Sequence, residues 1–237
     1  MVALRKHAGF LAIALMILGF GYWAGKRTGG SVTDKQAIFF DIQKAHLNRL
    51  DGASEAGRVV FLGASSFQGL DVSSVTPFGL NLSIGGDNLN GLIQRSARYR
   101  SLATARAVIV NIGLNDLLRD CVQPKVGIGN LLSMIPAEIP VVVLGVQGIQ
   151  ERVNSRHCDK GLAGLIEKFN QNSLSACDKR SRCQFVPNPV AINMDKDKMK
   201  LLQESDGVHL SRIGYRALGD ALRNSLFKVD ASLVTVQ

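Results

Sequence analysis

Aromatic residues make up only 6% of the 237-residue chain, and a single tryptophan is among them. No cluster of aromatics alternates with lysine or arginine, so the stacking platform on which single-stranded nucleic acid rides is missing. The formal charge of +9, from 28 Lys+Arg against 19 Asp+Glu, therefore points away from nucleic acid. It points instead to anionic lipid head groups or an acidic envelope polysaccharide. The spacing C-x-x-C is absent, and only His157 lies close to a cysteine in sequence, which disfavours a zinc site. Internal repeats and low-complexity tracts are also lacking, which excludes solenoids and extended disordered tails. With 46% hydrophobic residues, the roughly 200 residues after the first thirty suffice for one sizeable core.

One long uncharged run is present. Ala8 to Gly25 is largely apolar, preceded by Arg5-Lys6 and followed by Lys26-Arg27. As a helix it would span about 27 Å, close to the roughly 30 Å of a bilayer's hydrocarbon core. No A-x-A cleavage pattern follows the apolar run, so an uncleaved signal anchor is favoured over a cleaved, secreted form. Basic residues at both ends leave orientation undecided by charge alone. The expected organisation is a membrane anchor or signal segment over 1–28, a linker and first helix over 29–55, and a catalytic domain over 56–230. Gly29 to Lys35 reads as the linker, and Ala37 to Leu50 as a helix with Ile38, Ile42 and Leu47 near one face.

The cysteines bear on the compartment. Cys121, Cys158, Cys177 and Cys183 form an even set behind an export-like N-terminus, which suits two disulfides in an oxidising periplasm or exterior. Of the possible pairings, Cys121–Cys158 with Cys177–Cys183 is favoured because each would tie neighbouring loops. The competing reading is four ordinary thiols.

Four short segments supply the parts of an ester-cleaving site: Gly63-Ala64-Ser65-Ser66, Ser83-Ile84-Gly85-Gly86-Asp87, Gly113-Leu114-Asn115-Asp116 and Asp206-Gly207-Val208-His209. A serine hydroxyl is a poor nucleophile until an imidazole takes its proton, and the imidazole needs a carboxylate to fix its tautomer. Ser65, His209 and Asp206 can fill those roles. The oxyanion of the tetrahedral intermediate needs donors fixed in advance, and the candidates are the backbone N–H groups of Ser65 and Gly86 and the amide of Asn115. Ser66 is the alternative nucleophile, and Asp116 reads as a cap or turn residue. His157 reads as a solvated loop residue, with a place in the substrate cleft as the alternative, and His7 and His46 have no evident partners.

The setting of the motifs matters as much as their residues. Arg58 to Leu62 reads as a buried strand ending at Gly63, and Ala107 to Ile112 as a second one ending at the Gly113 loop. Both motifs thus fall at carboxyl ends of strands, where open parallel α/β sheets bind ligands. Further strands are expected over Leu80–Ile84, Ile139–Leu144 and Gln184–Val186. Helices are expected over Asn88–Arg100, Lys160–Ala176 and Ser211–Phe227, with Ser211 an N-cap. Phe67 to Val72 looks like a turn or brief helix, and Asp195 to Lys200 like a solvated face or flexible substrate loop.

In these four blocks the chain resembles the SGNH hydrolases, also called the GDSL-type esterases and lipases. Their serine, glycine, asparagine and histidine map in order onto Ser65, Gly86, Asn115 and His209, with Asp206 matching the acid of the last block. The likeness covers roughly residues 56–226. It implies a three-layer α/β/α, flavodoxin-like fold with a five-stranded parallel sheet in the order 2-1-3-4-5, and a serine mechanism needing no metal or organic cofactor. Ala64 stands where the family usually has aspartate, and the connection from Ser65 to Gly86 is short. The G-x-S-S opening and this short connection look like the envelope branch, which includes proteins that assist alginate acetylation and teichoic-acid D-alanylation.

The expected activity is membrane-anchored, extracytoplasmic hydrolysis of carboxylic esters, O-acetyl esters foremost, through a Ser65 acyl-enzyme. The alternatives are O-acyl transfer to an envelope polysaccharide, a glycan-binding or scaffold subunit working with polysaccharide-modification proteins, and lysophospholipase or thioesterase activity. The last is disfavoured by the lack of a long apolar lid.

Overall fold

A computed structural model describes residues 32–150, 153, 158 and 161–235. The proposed membrane segment lies outside the described residues. Among those described, no helix is long and apolar enough to cross a membrane. The chain divides into two compact units, Met1–Lys44 and Ala45–Gln237.

Helix α1, Val32–Ala53, is longer than the sequence pattern suggests and takes in part of the expected linker. The polar run before Ala37 contains no proline and no glycine after Gly30, so nothing stops the helix. Of its expected apolar face, Leu47 is buried while Ile38 and Ile42 are exposed. In the second unit the carboxylate of Asp51 accepts from Arg100 N at 2.7 Å and from Ser101 N at 3.1 Å, which ties the end of α1 to the turn before the central strand.

Five parallel strands make the sheet: β1 (Val59–Gly63), β2 (Gly79–Asn81), β3 (Ala107–Asn111), β4 (Val141–Leu144) and β5 (Cys183–Val186), in the order β2-β1-β3-β4-β5. Every residue of β1, β3 and β4 is buried, which is why these strands read as unbroken apolar runs rather than alternating ones. Val59 and Phe61 point to one face, where they join Ala107, Ile109, Val142 and Leu144 and meet Leu218, Leu222 and Leu226. Their neighbours Val60, Leu62, Val108 and Val110 are equally buried and point the other way.

Helix α2 is the four-residue Ser65–Gln68, followed by a 3-10 turn at Val72–Ser74, so the crossover from β1 to β2 is brief as expected. The first face is covered by α7 (Lys196–Leu202) and α8 (Arg212–Val229). Helices α3 (Leu89–Ser96), α4 (Leu114–Asp120), α5 (Ile128–Leu132) and α6 (Leu162–Asp178) pack on one another as a second layer. The result is a three-layer α/β/α fold.

Three further departures from the sequence reading have identifiable reasons. Beyond Asn81 the chain still runs beside β1, Leu82 N donating to Phe61 O at 2.9 Å and Ile84 N to Gly63 O at 3.1 Å, but the regular ladder has stopped. Helix α3 begins after Asn88, whose side chain accepts from Gly91 N at 2.7 Å, and ends at Ser96 rather than running on to Arg100. Residues 195–200 are not a loop: Asp195 caps α7 by accepting from Asp197 N and Lys198 N, and Met199 buries itself in the core beside α8.

Both disulfides are formed, Cys121–Cys158 and Cys177–Cys183, in the pairing favoured from sequence.

Candidate active site

Ser65 is the first residue of α2, two residues past the carboxyl end of β1. At that position a helix leaves its own N–H groups unpaired. Among the described residues Ser65 N–H meets no acceptor, while Phe67 N and Gln68 N both turn back to Ala64 O at 3.2 and 2.9 Å. Behind the turn, Tyr215 of α8 points its hydroxyl at Ser65 O from 3.5 Å, and burial raises that phenol above its ordinary pKa.

Asn115 sits at the start of α4, which the Gly113 turn launches from the end of β3. Only glycine suits position 113: its φ is +118°, and a Cβ there would lie 2.4 Å from the ring of Phe169. Asn115 Nδ2 donates one hydrogen to Asp87 O at 2.9 Å, leaving its second for the cleft. The next residue, Asp116, is buried and accepts from Leu89 N with both oxygens, at 3.2 and 3.0 Å. Its part is structural, holding the start of α3. Burial pushes its carboxyl above the usual aspartate range, and the Leu89 N–H only partly offsets that.

Gly86 carries φ +77°, the left-handed turn for which glycine is suited, and its carbonyl accepts from Arg119. It does not line the cleft that holds the other candidates. Its block is nonetheless fixed on both sides, by Asn115 through Asp87 O and by Gln68 Oε1, which accepts from Gly85 N at 2.6 Å.

A buried ion pair holds this half together. Arg95 Nε donates to Asp87 Oδ2 at 2.7 Å, with both side chains almost completely buried. The same guanidinium donates to Gly63 O at 3.1 Å, to Tyr99 Oη at 2.8 Å and to Leu82 O. One side chain thus clasps the end of β1, the chain after β2 and the Gly86 block. Sequence reasoning missed Arg95, although the buried positions of α3 hint at it: Leu89, Leu92 and Arg95 follow at intervals of three.

Asp206 and His209 come from the loop between α7 and α8. His209 Nδ1 lies 2.6 Å from Asp206 Oδ2, and Asp206 Oδ1 accepts from Val208 N at 2.8 Å and His209 N at 2.9 Å. Burial pushes the Asp206 carboxyl up, but the His209 ring and these N–H groups outweigh it and bring the pKa down to about 2. The carboxylate is therefore charged at neutral pH and orients the ring.

Ser65, Asn115, Asp206 and His209 all line one cleft of about 350 Å³, with Leu114, Leu118, Val146 and Val153 on its apolar walls. No hydrogen bond links Ser65 Oγ to His209 among the described residues. Ser66 shares the cleft wall, but its hydroxyl donates to Gln147 Oε1 at 3.1 Å, which commits it elsewhere. Gln147 is a second residue that sequence reasoning passed over. His46 is exposed on α1, and His7 and His157 lie outside the described residues. No group of metal-binding side chains occurs among the described residues.

Solved structures share this fold. A protein from Streptococcus pneumonia, 19% identical, aligns over 91% of this chain and 99% of its own with a TM-score of 0.65. A GDSL-like lipase from Bacteroides thetaiotaomicron, also 19% identical, covers 80% of this chain and 98% of its own at 0.58. The catalytic domain of a Streptococcus pneumoniae peptidoglycan O-acetyltransferase, 10% identical, covers 78% and 100% at 0.54. No curated protein matches the chain in sequence. Residues 62–217 match the family model described as GDSL-like lipase/acylhydrolase, a span that holds all four blocks, and the chain belongs to that family.

Proposed function

We propose that the protein is a serine esterase that removes short acyl groups, O-acetyl foremost, from a glycan outside the cytoplasm. The observation that carries this reading is the 2.6 Å contact between Asp206 and His209 in the wall of the cleft that Ser65 and Asn115 also line. His209, its tautomer fixed by Asp206, takes the proton of Ser65 Oγ as the hydroxyl attacks the ester carbonyl. Contacts of this kind are often long before substrate arrives and tighten in the complex. The oxyanion is met by Ser65 N–H and the spare Asn115 hydrogen, with Gly86 N–H the third candidate. His209 returns the proton to the leaving alcohol, and water then resolves the acyl-enzyme by the same route.

O-acyl transfer is the second reading, favoured by the fold shared with a peptidoglycan O-acetyltransferase domain. A sugar hydroxyl in place of water as second acceptor would need no other machinery. The segment Ala8–Gly25 serves as an uncleaved anchor in this proposal, and the two disulfides suit a domain on the oxidising side.

The test is hydrolysis of p-nitrophenyl esters of increasing chain length by the full chain in detergent, beside Ser65→Ala and His209→Ala. Acetate should be the best substrate and both variants should be silent. Equal background rates in all three, with no labelling of wild type by a fluorophosphonate, would leave a non-catalytic glycan-binding subunit instead. Labelling without hydrolysis, and acetyl appearing on added oligosaccharide, would favour transfer.

A further inference from the structure

Gln147 is only 2% exposed, yet it lies on the wall of the cleft and belongs to none of the four blocks. Its amide is used at both ends. Oε1 accepts from Ser66 Oγ at 3.1 Å, and Nε2 donates to the carbonyl of Val208. Ser66 is the residue after Ser65, and Val208 is the residue before His209. One side chain therefore bridges the neighbour of the nucleophile and the neighbour of the base, which are far apart in sequence.

Among the described residues, no other hydrogen bond joins residues 64–69 to residues 206–209. The stretch after β4 that carries Gln147 also grips the histidine loop by its backbone: Gln150 N donates to Gly207 O at 3.1 Å, and Gln203 Nε2 donates to Gly148 O at 2.7 Å. Gly148 N in turn donates to Val190 O at 2.8 Å. Residues 145–150 thus act as a frame for the histidine loop, and Gln147 alone reaches from that frame to the serine turn. A neutral amide suits the post because it accepts and donates without charge. Glutamate would turn a carboxylate oxygen toward the Val208 carbonyl, and methionine would leave a hydroxyl and a carbonyl without partners.

We infer that Gln147 is a positioning residue that sets the separation of Ser65 Oγ and His209 through Ser66 and Val208, without touching the reacting atoms. The inference rests on the reading of Ser65 and His209 as nucleophile and base. A misplacement of about 1 Å between reacting groups costs on the order of 100-fold in rate, which fixes the scale of the expected effect.

The experiment uses the full chain in detergent and compares wild type with Gln147→Met, Gln147→Glu, Ser66→Ala and the double variant Ser66→Ala/Gln147→Met. The readouts are kcat and KM for an acetate ester, and the rate and amplitude of fluorophosphonate labelling. Amplitude counts folded, competent sites, and rate reports their geometry. Gln147→Met should lower kcat and labelling rate by about 100-fold with KM within about threefold. Gln147→Glu, which keeps the acceptor for Ser66 but sets a carboxylate oxygen against the Val208 carbonyl, should fall at least as far. Ser66→Ala should lose about tenfold, and the double variant no more than Gln147→Met alone, because both changes cut the same bridge. A fall in amplitude with unchanged rate, a change in KM alone, or losses that multiply in the double variant would overturn the inference. Failure of the underlying reading is distinguishable, since it would show in wild type as absent labelling before any Gln147 variant is made.

Discussion

The two halves of the site are held by different physics. Ser65 and Asn115 stand just past the ends of the fully buried strands β1 and β3, and the Arg95–Asp87 pair clasps the end of β1 and the Gly86 block beneath the surface. Asp206 and His209 stand on a loop, with side chains about half exposed at 49% and 50%; the Asp206 carboxylate is met by the N–H groups of Val208 and His209, and the loop backbone by Gln147 and Gln150. The proposed catalysis needs both, but stability draws less on the second. An error in the strand half is therefore expected to unfold the protein, whereas an error in the loop half is expected to leave a folded, inactive one.

The largest effect expected is on rate. If the halves act as one machine, Ser65→Ala and His209→Ala should each cost about 10⁶-fold in kcat, and the double variant no more than either alone. Asn115→Ala should cost about 10² to 10³, the usual worth of one oxyanion donor. Losses in the first two that multiplied would mean that serine and histidine do not share a step.

Stability should separate the halves next. Arg95→Met removes one partner of a buried pair and strips partners from Gly63 O, Leu82 O and Tyr99 Oη. A loss of about 3–5 kcal/mol is expected in denaturant titration. Asp206→Asn should unfold at nearly the wild-type midpoint while kcat drops by about 10⁴ through the wrong histidine tautomer. An Arg95→Met protein as stable as wild type would erase the contrast.

The disulfides sharpen it further. Cys121–Cys158 closes a separation of 37 residues and Cys177–Cys183 one of only 6. On loop-closure entropy alone they are worth about 4 and about 2 kcal/mol respectively. Replacing each pair by serine should therefore lower the thermal midpoint more for the first pair than for the second.

How much of this was legible in the sequence follows the same division. The strand half could be read because buried parallel strands leave unbroken runs such as Val59–Leu62 and Ala107–Ile112, each ending in a glycine turn with its motif. Ser211 was legible as a cap because one side-chain oxygen meets a local N–H, Gly214 N at 3.1 Å. The residues that join elements were not legible. Arg95 looks like an ordinary surface charge until four partners, Gly63 the most distant in sequence, converge on it, and Gln147 is an unremarked polar residue between a valine and a glycine. Asp195–Lys200 was half legible: its charges mark a solvated face, which is exposed, while Met199 supplies the anchor that makes the run a helix rather than a loop.

The smallest effect concerns acid. Asp206 has its pKa lowered to about 2 in the folded protein from an ordinary 3.8. The sign follows from linkage: a carboxylate whose pKa falls on folding adds stability that is complete above the unfolded value and is lost as pH drops through the folded one. The stabilisation from Asp206 is thus present at pH 6 and disappears between about pH 4 and pH 2. Because the group is half exposed, solvent screening holds the contribution to under about 1 kcal/mol. The difference in unfolding free energy between wild type and Asp206→Asn should accordingly be small at pH 6 and shrink toward zero by about pH 2, following the titration of one group. A difference that stayed constant across that window would mean that the loop is held by its backbone alone, and that the Asp206 carboxylate serves only to orient His209.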